Sequence, residues 1–90
     1  MDIHIEAGRD VKNHWVEVTV KGGAERQVAM VTTVLDGFSI GNDNVCPPED
    51  SYRRAWSQVG TGAPNQTHEV VVTAVDDKGN QSSASKTWQD

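Results

Sequence analysis

The fold is decided by residues 68–88, which read His68-Glu-Val-Val-Val-Thr-Ala-Val-Asp-Asp-Lys-Gly-Asn-Gln-Ser-Ser-Ala-Ser-Lys-Thr-Trp88. Residues 70–75 are rich in valine, a β-branched residue that is typical of a strand on a pleated, half-buried surface. Residues 77–80, Asp-Lys-Gly-Asn, form a turn sequence, and a polar stretch follows at once. The segment therefore predicts a strand, a tight turn and a second strand that is polar enough to lie at a sheet edge.

The composition of the chain favours an all-β fold. In 90 residues, Leu and Phe each occur once, as Leu35 and Phe38. The chain is instead rich in Val, Thr, Ser, Asn and Gly, which are typical of strands and turns. A chain of this length has room for one domain with one compact core. We therefore predict a single domain over residues 1–90 and interpret it as one module of a larger protein.

Alternating hydrophobicity predicts five more strands. The clearest is 14–20, where Val16, Val18 and Val20 share one face and Trp15 lies on the other. The remaining predicted strands are 3–5, 27–35, 38–40 and 51–59, and the predicted loops are 41–50 and 60–65. Seven strands with turn signals at this spacing indicate a sandwich of two antiparallel sheets. The predicted core is Val16, Val18, Val20, Val28, Met30, Val34, Trp56, Val70, Val72 and Ala74, although both faces of strand 27–35 are apolar.

Charge and hydropathy exclude several classes of partner. The formal net charge is −5, and the basic residues are scattered except for Arg53-Arg54, so we predict no binding to nucleic acid. No apolar run has the length of a membrane span, which predicts no membrane insertion. The N-terminal residues do not resemble a signal peptide, but Met1 can be the start of an excised segment, so this does not establish a cytoplasmic location. The cytoplasm stays open as a location, because one unpaired cysteine suits a reducing compartment equally well.

Cys46 is the single cysteine, which excludes an internal disulfide. It precedes Pro47-Pro48 in the predicted loop, and the simplest interpretation is an incidental loop thiol. The alternatives are a reactive nucleophile and an intermolecular bridge, but no neighbour in sequence supplies the base that a nucleophile needs.

Residues 70–80 resemble the closing strands of bacterial immunoglobulin-like and fibronectin type III-like modules. Those modules end with an apolar strand, then Thr-Ala-x-Asp-x-x-Gly-Asn and a Ser/Thr-rich strand. The matching positions here are Thr73, Ala74, Asp76, Gly79 and Asn80. The pattern also departs from the family: Trp56 is not on an early central strand, and His68 stands near the position of the usual tyrosine.

This resemblance implies a function without catalysis. Such modules act as spacers, adhesion modules or docking surfaces of secreted and cell-surface multidomain proteins, and few are enzymes. It implies neighbouring domains of the parent protein as partners, an extracellular or cell-envelope location and no cofactor. Fold-level analogy does not decide among these roles.

Turn carboxylates are the first candidate for chemistry, because they can gather around calcium. The acids predicted to lie in turns are Asp36, Asp43, Asp50, Asp76 and Asp77. Asp76-Asp77 is the one adjacent pair and the weak candidate for a metal site, but no calcium-loop motif is present, and Asp also favours turns for its local hydrogen bonds. We therefore predict no metal site.

The three histidines offer little more. None has the short spacing to another histidine or to Cys46 that a local zinc site uses. His68, Asp76 and Cys46 would form a catalytic set only if the fold brought them together. The simpler expectation is that each histidine bonds a neighbouring carbonyl or lies in solvent, and we predict that the chain is not an enzyme.

The aromatic residues are the better functional lead. Trp15 and Trp88 are predicted to be exposed, and Tyr52 and Arg54 share a face with Trp56. Exposed aromatic rings suit stacking on sugars or contact with a partner protein. Trp15, Trp88, Tyr52 and Arg54 are therefore the predicted ligand-binding residues of the alternative function, a carbohydrate- or protein-binding adhesion module. The two exposed tryptophans could instead pack on each other or on an adjacent domain.

Two sequences, 65–67 and 80–82, match the N-glycosylation acceptor pattern. The pattern is short and arises often by chance, and in a bacterial protein we expect it to carry no function.

Overall fold

The computed structural model describes residues 1–9, 14–59 and 67–89, and places seven strands there. They are β1 (Asp2–Arg9), β2 (His14–Lys21), β3 (Val28–Leu35), β4 (Phe38–Glu49), β5 (Ser51–Val59), β6 (Thr67–Asp76) and β7 (Gln81–Gln89). One sheet has the order β1-β2-β5 and the other the order β4-β3-β6-β7. All five strand pairs are antiparallel. The predicted immunoglobulin-like β-sandwich of about seven strands in two sheets is therefore confirmed.

Two tight turns connect neighbouring strands of the larger sheet. Between β3 and β4, Asp36 has a φ of 50° and Gly37 a φ of 84°. Asp and Gly tolerate positive φ, and two such residues match the right-handed twist of a hairpin. Between β6 and β7, Gly79 has a φ of 87° and donates its N–H to the carbonyl of Asp76 at 3.2 Å. Both turns lie where the sequence predicted them.

The core lies between the sheets and consists mainly of valine. Its buried hydrophobic residues are Ile5, Val16, Val18, Val20, Val28, Val31, Leu35, Val70, Val72 and Ala74. Seven of the ten predicted core residues are in this list. Trp56 is half-buried at the side of the core and packs against it.

Two predicted core residues, Met30 and Val34, instead lie half-buried on the outer face of β3. The pairing of β3 with both neighbours is irregular between Val28 and Met30. An extra residue in a strand reverses which side chains point inward, so Val31 and Thr33 take the inner positions. Because both faces of this strand carry apolar residues, the alternation of the sequence did not indicate the shift.

The predicted loop 41–50 is wrong, because residues up to Glu49 belong to β4. Pro47-Pro48 cannot donate backbone hydrogen bonds to a ladder, which argues for a loop from the sequence alone. β4 is the edge strand of its sheet, however, and only one side of an edge strand needs backbone partners. The pairing with β3 passes from Asn44 to Glu49, so the prolines lie in the irregular stretch between these two residues.

The outer faces of the two sheets differ in charge. The outer face of the three-stranded sheet carries Asp2, His4, Glu6, Glu17, Lys21 and Arg53. The outer face of the four-stranded sheet has apolar and hydroxyl residues at its centre, and Ser, Asn and Gln along β4 and β7. Glu69, at the end of β6, is its single ionised residue among the described pairs. One face of the sandwich is therefore charged and the other nearly free of charge.

The strands run along the long axis of a body that measures 43 × 19 × 17 Å. Asp2 pairs with Lys21 at the pole that also holds the β6–β7 turn, and Gln89 pairs with Thr67 at the other pole. β1 therefore begins at one pole and β7 ends at the opposite one. No stretch of helix within residues 1–9, 14–59 and 67–89 has the length and apolar character needed to cross a membrane.

Candidate functional site along the β4–β5 edge

The predicted site residues Tyr52 and Arg54 lie with Trp56 on the inner face of β5. Tyr52 pairs with Val20, Arg54 with Val18 and Trp56 with Val16, whose side chains are all in the core. Because β5 and β4 are edge strands of opposite sheets, these side chains reach across the open side of the sandwich toward β4. The face that the sequence singled out is therefore the one that closes this side of the core.

Asp43 of β4 is the polar partner of this face. Its two carboxylate oxygens accept hydrogen bonds from Nη1 of Arg54 at 3.0 and 2.9 Å, and Oδ2 also accepts one from the hydroxyl of Tyr52. The Asp43 side chain is 33% exposed and that of Arg54 41% exposed, so the network is at the border of the core and solvent. It joins the two sheets through charge-assisted bonds, which are stronger than neutral ones.

The network shifts the pKa values of all three groups. The hydrogen bond from Tyr52 lowers the pKa of Asp43; burial opposes this, and Arg54 adds to the lowering. Burial raises the pKa of Tyr52, and its hydrogen bond to the Asp43 carboxylate raises it further. The hydrogen bond to Asp43 likewise raises the pKa of Arg54. At neutral pH the network therefore holds a carboxylate, a guanidinium and a neutral phenol.

Trp56 completes the edge. Its indole N–H donates to the carbonyl of Ile40 at 3.1 Å, and the guanidinium of Arg54 lies 4.7 Å from its ring centroid in a cation–π contact. The ring covers Gly41, which is buried. A β-carbon at Gly41 would lie 2.8 Å from Cζ2 of Trp56 and 3.2 Å from Nη1 of Arg54. The close approach of ring to backbone therefore requires glycine here.

Trp15 lies on the outer face of the three-stranded sheet, as predicted, but it is half-buried rather than exposed. It is opposite Gly8 across the β1–β2 ladder, and a β-carbon at Gly8 would lie 2.8 Å from its Cζ2. The Trp15 ring thus covers the backbone of Gly8, and this contact shields one face of the ring from solvent.

Trp88 is also half-buried, and it belongs to the inner positions of β7. Its ring centroid lies 5.5 Å from that of His68, with 33° between the ring planes. Trp15 and Trp88 are therefore on different sheets and different faces. Binding of a ligand by Trp15, Trp88, Tyr52 or Arg54 stays a prediction.

His68 is buried, contrary to the expectation of a carbonyl contact or solvent. Its Nδ1 lies 2.6 Å from Oδ2 of Asp36, in the β3–β4 turn. The other oxygen of Asp36 accepts the N–H of Glu69 at 2.8 Å, and the N–H of Asp36 donates to the carbonyl of Glu69 at 2.8 Å. Asp36 therefore fixes the turn to the start of β6 and orients the imidazole.

The catalytic set weighed from sequence is not assembled. His68 and Asp76 are eight positions apart on the same extended strand, which corresponds to roughly 26 Å. Cys46 is exposed on β4, whereas His68 is buried.

Asp76 is buried and organises the β6–β7 turn. Its Oδ1 accepts the N–H groups of Lys78 and Asn80, both at 2.8 Å, and Nε of Arg26 lies 3.8 Å from its Oδ2. Desolvation raises the pKa of Asp76, but these backbone hydrogen bonds and the charge of Arg26 outweigh it, and the net shift is downward. This explains the Asp-x-x-Gly-Asn pattern: the carboxylate takes the place of backbone acceptors in the turn.

The other turn carboxylates do not converge on one point. Asp50 and Asp77 each accept a hydrogen bond from Gln27, and with Arg26 they line a shallow depression of about 300 Å³ between the β2–β3 connection and the β6–β7 turn. Within the described residues, no three groups among His, Cys, Asp and Glu are arranged to hold a metal ion. The glycosylation sequence at Asn65 lies outside the described residues, and Asn80 is exposed in its turn.

Sequence reasoning named Asp36 and Asp43 only as turn carboxylates and missed their partners His68 and Arg54, and it did not single out Phe38. Asp43 was assigned to a loop; as part of a strand, its alternation with the exposed Asn42 and Asn44 shows that it faces β5. Phe38 is 76% exposed, directly after the β3–β4 turn. No local pattern reveals this exposure, because it depends on which residues cover the turn.

Comparison with known proteins finds similar chains among solved structures. No family model matches the chain, and no curated protein sequence matches it. The chain is similar to the fibronectin(III)-like modules of CbhA from Clostridium thermocellum, with 22% identity and a TM-score of 0.48 over 93% of this chain and 92% of that one.

Proposed function

We propose that this chain is a non-catalytic module that spaces, orients or docks neighbouring domains of a secreted or cell-surface multidomain protein. The observation that carries the proposal is the position of the first and last strands. β1 begins at one pole of a body 43 Å long and β7 ends at the other, so domains joined to these strands would be held apart along one axis.

The packing supports a rigid spacer. The valine core is closed on one side by Asp43, Arg54 and Tyr52, and both poles carry carboxylates, Asp36 and Asp76, that bond backbone N–H groups. A spacer has to transmit orientation, and hydrogen bonds that fix turns to strands suit that task.

The test is a distance measurement across the module. Spin labels at positions 2 and 89, in a Cys46→Ser background, report the separation of the two ends by pulsed electron paramagnetic resonance. We expect one narrow distribution at roughly 30 Å, slightly more than the length of the nine residues of β7 at about 3.3 Å each. Fusion of a globular domain to each end should leave that distribution unchanged. A broad distribution, or one that collapses in the fusion, would contradict the spacer function.

A second candidate, an adhesion module that binds a carbohydrate or a protein, is favoured by one observation. Trp15 is on an outer face, beside the charged residues of the three-stranded sheet, although half-buried. Titration of the indole N–H signals of the three tryptophans with soluble polysaccharides tests it. A saturable shift of the Trp15 signal supports binding. If none of the three signals shifts, the polysaccharides tested are not ligands of this module.

A further inference from the structure

Trp15 lies on the outer face of the three-stranded sheet among small neighbours. It pairs with Gly8 on β1 and with Ser57 on β5, and Ala55 is the next residue of β5 on the same face. One face of the ring rests on Gly8, where a β-carbon would lie 2.8 Å from Cζ2 and 3.3 Å from Nε1. Because the neighbours in both ladders are small and Trp15 is half-buried, the opposite face of the ring is directed toward solvent.

Two carboxylates are beside this ring on the same face. Glu6 is opposite Glu17 across the β1–β2 ladder, and each is two residues from the Gly8–Trp15 pair, a distance of about 7 Å along a strand. The Glu6 side chain is 54% exposed and that of Glu17 30% exposed. Like charges directly opposite each other destabilise a sheet, so a positive group placed beside this pair is favoured.

The chain neutralises this pair only in part. Arg53 donates from Nε and Nη2 to Oε1 of Glu17 at 3.1 and 2.7 Å. The partner of Glu6 is His4, whose Nε2 lies 3.2 Å from Oε1 of Glu6 and carries a charge only when the ring is protonated. With histidine neutral at pH 7, the two glutamates therefore keep one negative charge without a cationic partner.

The inner side of the same sheet shows which group completes such an arrangement. There the guanidinium of Arg54 lies 4.7 Å from the ring centroid of Trp56 and donates to both carboxylate oxygens of Asp43. A planar guanidinium can stack on an indole and bond a carboxylate at the same time. Trp15 and Glu6 present the same indole and carboxylate on the outer face, but none of the described residues places a cation over the Trp15 ring.

We propose that the surface formed by Trp15, Glu6 and Glu17 binds an arginine side chain on a basic segment of a partner protein. The guanidinium stacks on the solvent-directed face of the indole and donates to Glu6, with Glu17 as a second acceptor for which Arg53 competes. The net charge of −5 attracts a basic segment toward the module. Exposed cation–π contacts and ion pairs are each weak, so we expect a dissociation constant on the order of 1 mM.

This inference rests on the second candidate function, adhesion to a partner, and names the chemistry of that partner. It does not depend on the spacer function, which concerns the two ends of the module. The charge of the site separates an arginine from a neutral sugar, because a neutral sugar does not relieve the repulsion between the two glutamates.

An NMR titration of the three indole N–H signals with a hexapeptide of arginine tests the proposal. The matched control is a hexapeptide of citrulline, in which a neutral urea group replaces each guanidinium. We expect a saturable shift of the Trp15 signal with the arginine peptide, weaker in about 0.5 M than in 0.05 M NaCl, and binding of the citrulline peptide at least about fivefold weaker. An unmoved Trp15 signal, or equal binding of the two peptides, overturns the proposal.

A first pair of variants separates the site from the overall charge of the chain. Glu6→Gln removes the carboxylate beside the ring, whereas Glu49→Gln removes an exposed carboxylate from β4, in the other sheet. Both variants change the net charge by the same amount. We expect Glu6→Gln to raise the dissociation constant by about two- to fivefold and Glu49→Gln to change it clearly less. Equal effects overturn the proposal.

A second pair of variants tests the competition for Glu17. Arg53→Gln releases this carboxylate, so the arginine peptide should bind about two- to fivefold more tightly. Lys78→Gln removes an exposed positive charge from the β6–β7 turn and gives the same net charge, but it should have little effect. If both variants strengthen binding equally, attraction by the net charge explains the result and the proposal is overturned.

The outcome also separates this inference from the proposed functions. A Trp15 signal that shifts with a neutral polysaccharide and not with the arginine peptide overturns the inference, while adhesion stands with a carbohydrate as its ligand. A broad distance distribution between the two ends of the module contradicts the spacer function and leaves the arginine titration unaffected.

Discussion

Gly41→Ala is the most direct test of how the β4–β5 edge is closed. Gly41 is buried beneath Trp56, and an alanine methyl would lie 2.8 Å from Cζ2 of the indole ring. The ring cannot move freely, because its N–H bonds the carbonyl of Ile40 at 3.1 Å and Arg54 covers it at 4.7 Å. The substitution must therefore displace the ring or the β4 backbone.

The expected cost follows from three contributions. Forcing a methyl group into a packed contact costs about 1–3 kcal/mol. Loss of the Trp56–Ile40 hydrogen bond costs about 0.5–1.5 kcal/mol. Replacing glycine in a strand by alanine returns about 0.5–1 kcal/mol, because glycine loses more backbone freedom on folding. We expect a net loss of about 1–3 kcal/mol in the free energy of unfolding.

Urea unfolding followed by tryptophan fluorescence measures this loss. In a domain of this size, each kcal/mol corresponds to a fall in Tm of about 4–8 °C. Asn42→Ala, an alanine substitution at the neighbouring exposed position of β4, is the control and should stay within about 0.5 kcal/mol of the wild type.

A double-mutant cycle identifies the cause. Trp56→Phe removes the ring atom that the new methyl would contact, so Gly41→Ala should cost about 1–2 kcal/mol less in that background. The reasoning is refuted if Gly41→Ala is as stable as the wild type. It is also refuted if its cost is the same with Phe as with Trp at position 56, since the contact would then not be the cause.

The remaining predictions concern the two poles and the phase of β3, that is, which of its side chains point into the core. Folding lowers the pKa of Asp76 below its usual 3.8. The carboxylate therefore contributes to stability above that pH, and the contribution is lost as the pH falls through the pKa of the folded state. When urea midpoints are measured over a series of pH values, Asp76→Asn should reduce the loss of stability at acid pH. Asp36→Ala should cost about 1–3 kcal/mol, because it removes an acceptor from buried His68 and puts alanine at positive φ; Asp36→Asn, which tolerates that φ, should keep most of the stability, and equal loss in both would contradict the role given to the turn. Val31→Ala should destabilise by about 2 kcal/mol and Met30→Ala by clearly less in thermal unfolding, and the reverse order would show that β3 has the predicted phase after all.

The fold could be predicted from the sequence because its signals are local. Alternating valines in 14–20 and the valine-rich stretch before Gly79 each define a strand and its buried face. The phase of β3 could not be predicted, because both faces of that strand are apolar and the shift after Val28 is set by pairing with β4 and β6. The same holds for β4, since an edge position, which tolerates Pro47-Pro48, is a property of the whole sheet.

The polar clusters could be predicted in part. Tyr52, Arg54 and Trp56 were placed on one face from alternation alone, and they do share it. Their partner Asp43 was out of reach, because it comes from a strand of the other sheet. The His68–Asp36 contact joins residues 32 positions apart, and nothing in either local sequence marks the other as its partner.

The placement of the first and last strands at opposite poles also sets how the domain responds to tension. β1 and β7 belong to different sheets, and each is held by an antiparallel ladder of eight or nine residue pairs that runs along the long axis. A pull between the two ends acts along these ladders, so their backbone hydrogen bonds bear the load together instead of opening one at a time from a frayed end. A chain of such modules under flow or traction would therefore yield in discrete ruptures, each releasing one folded unit.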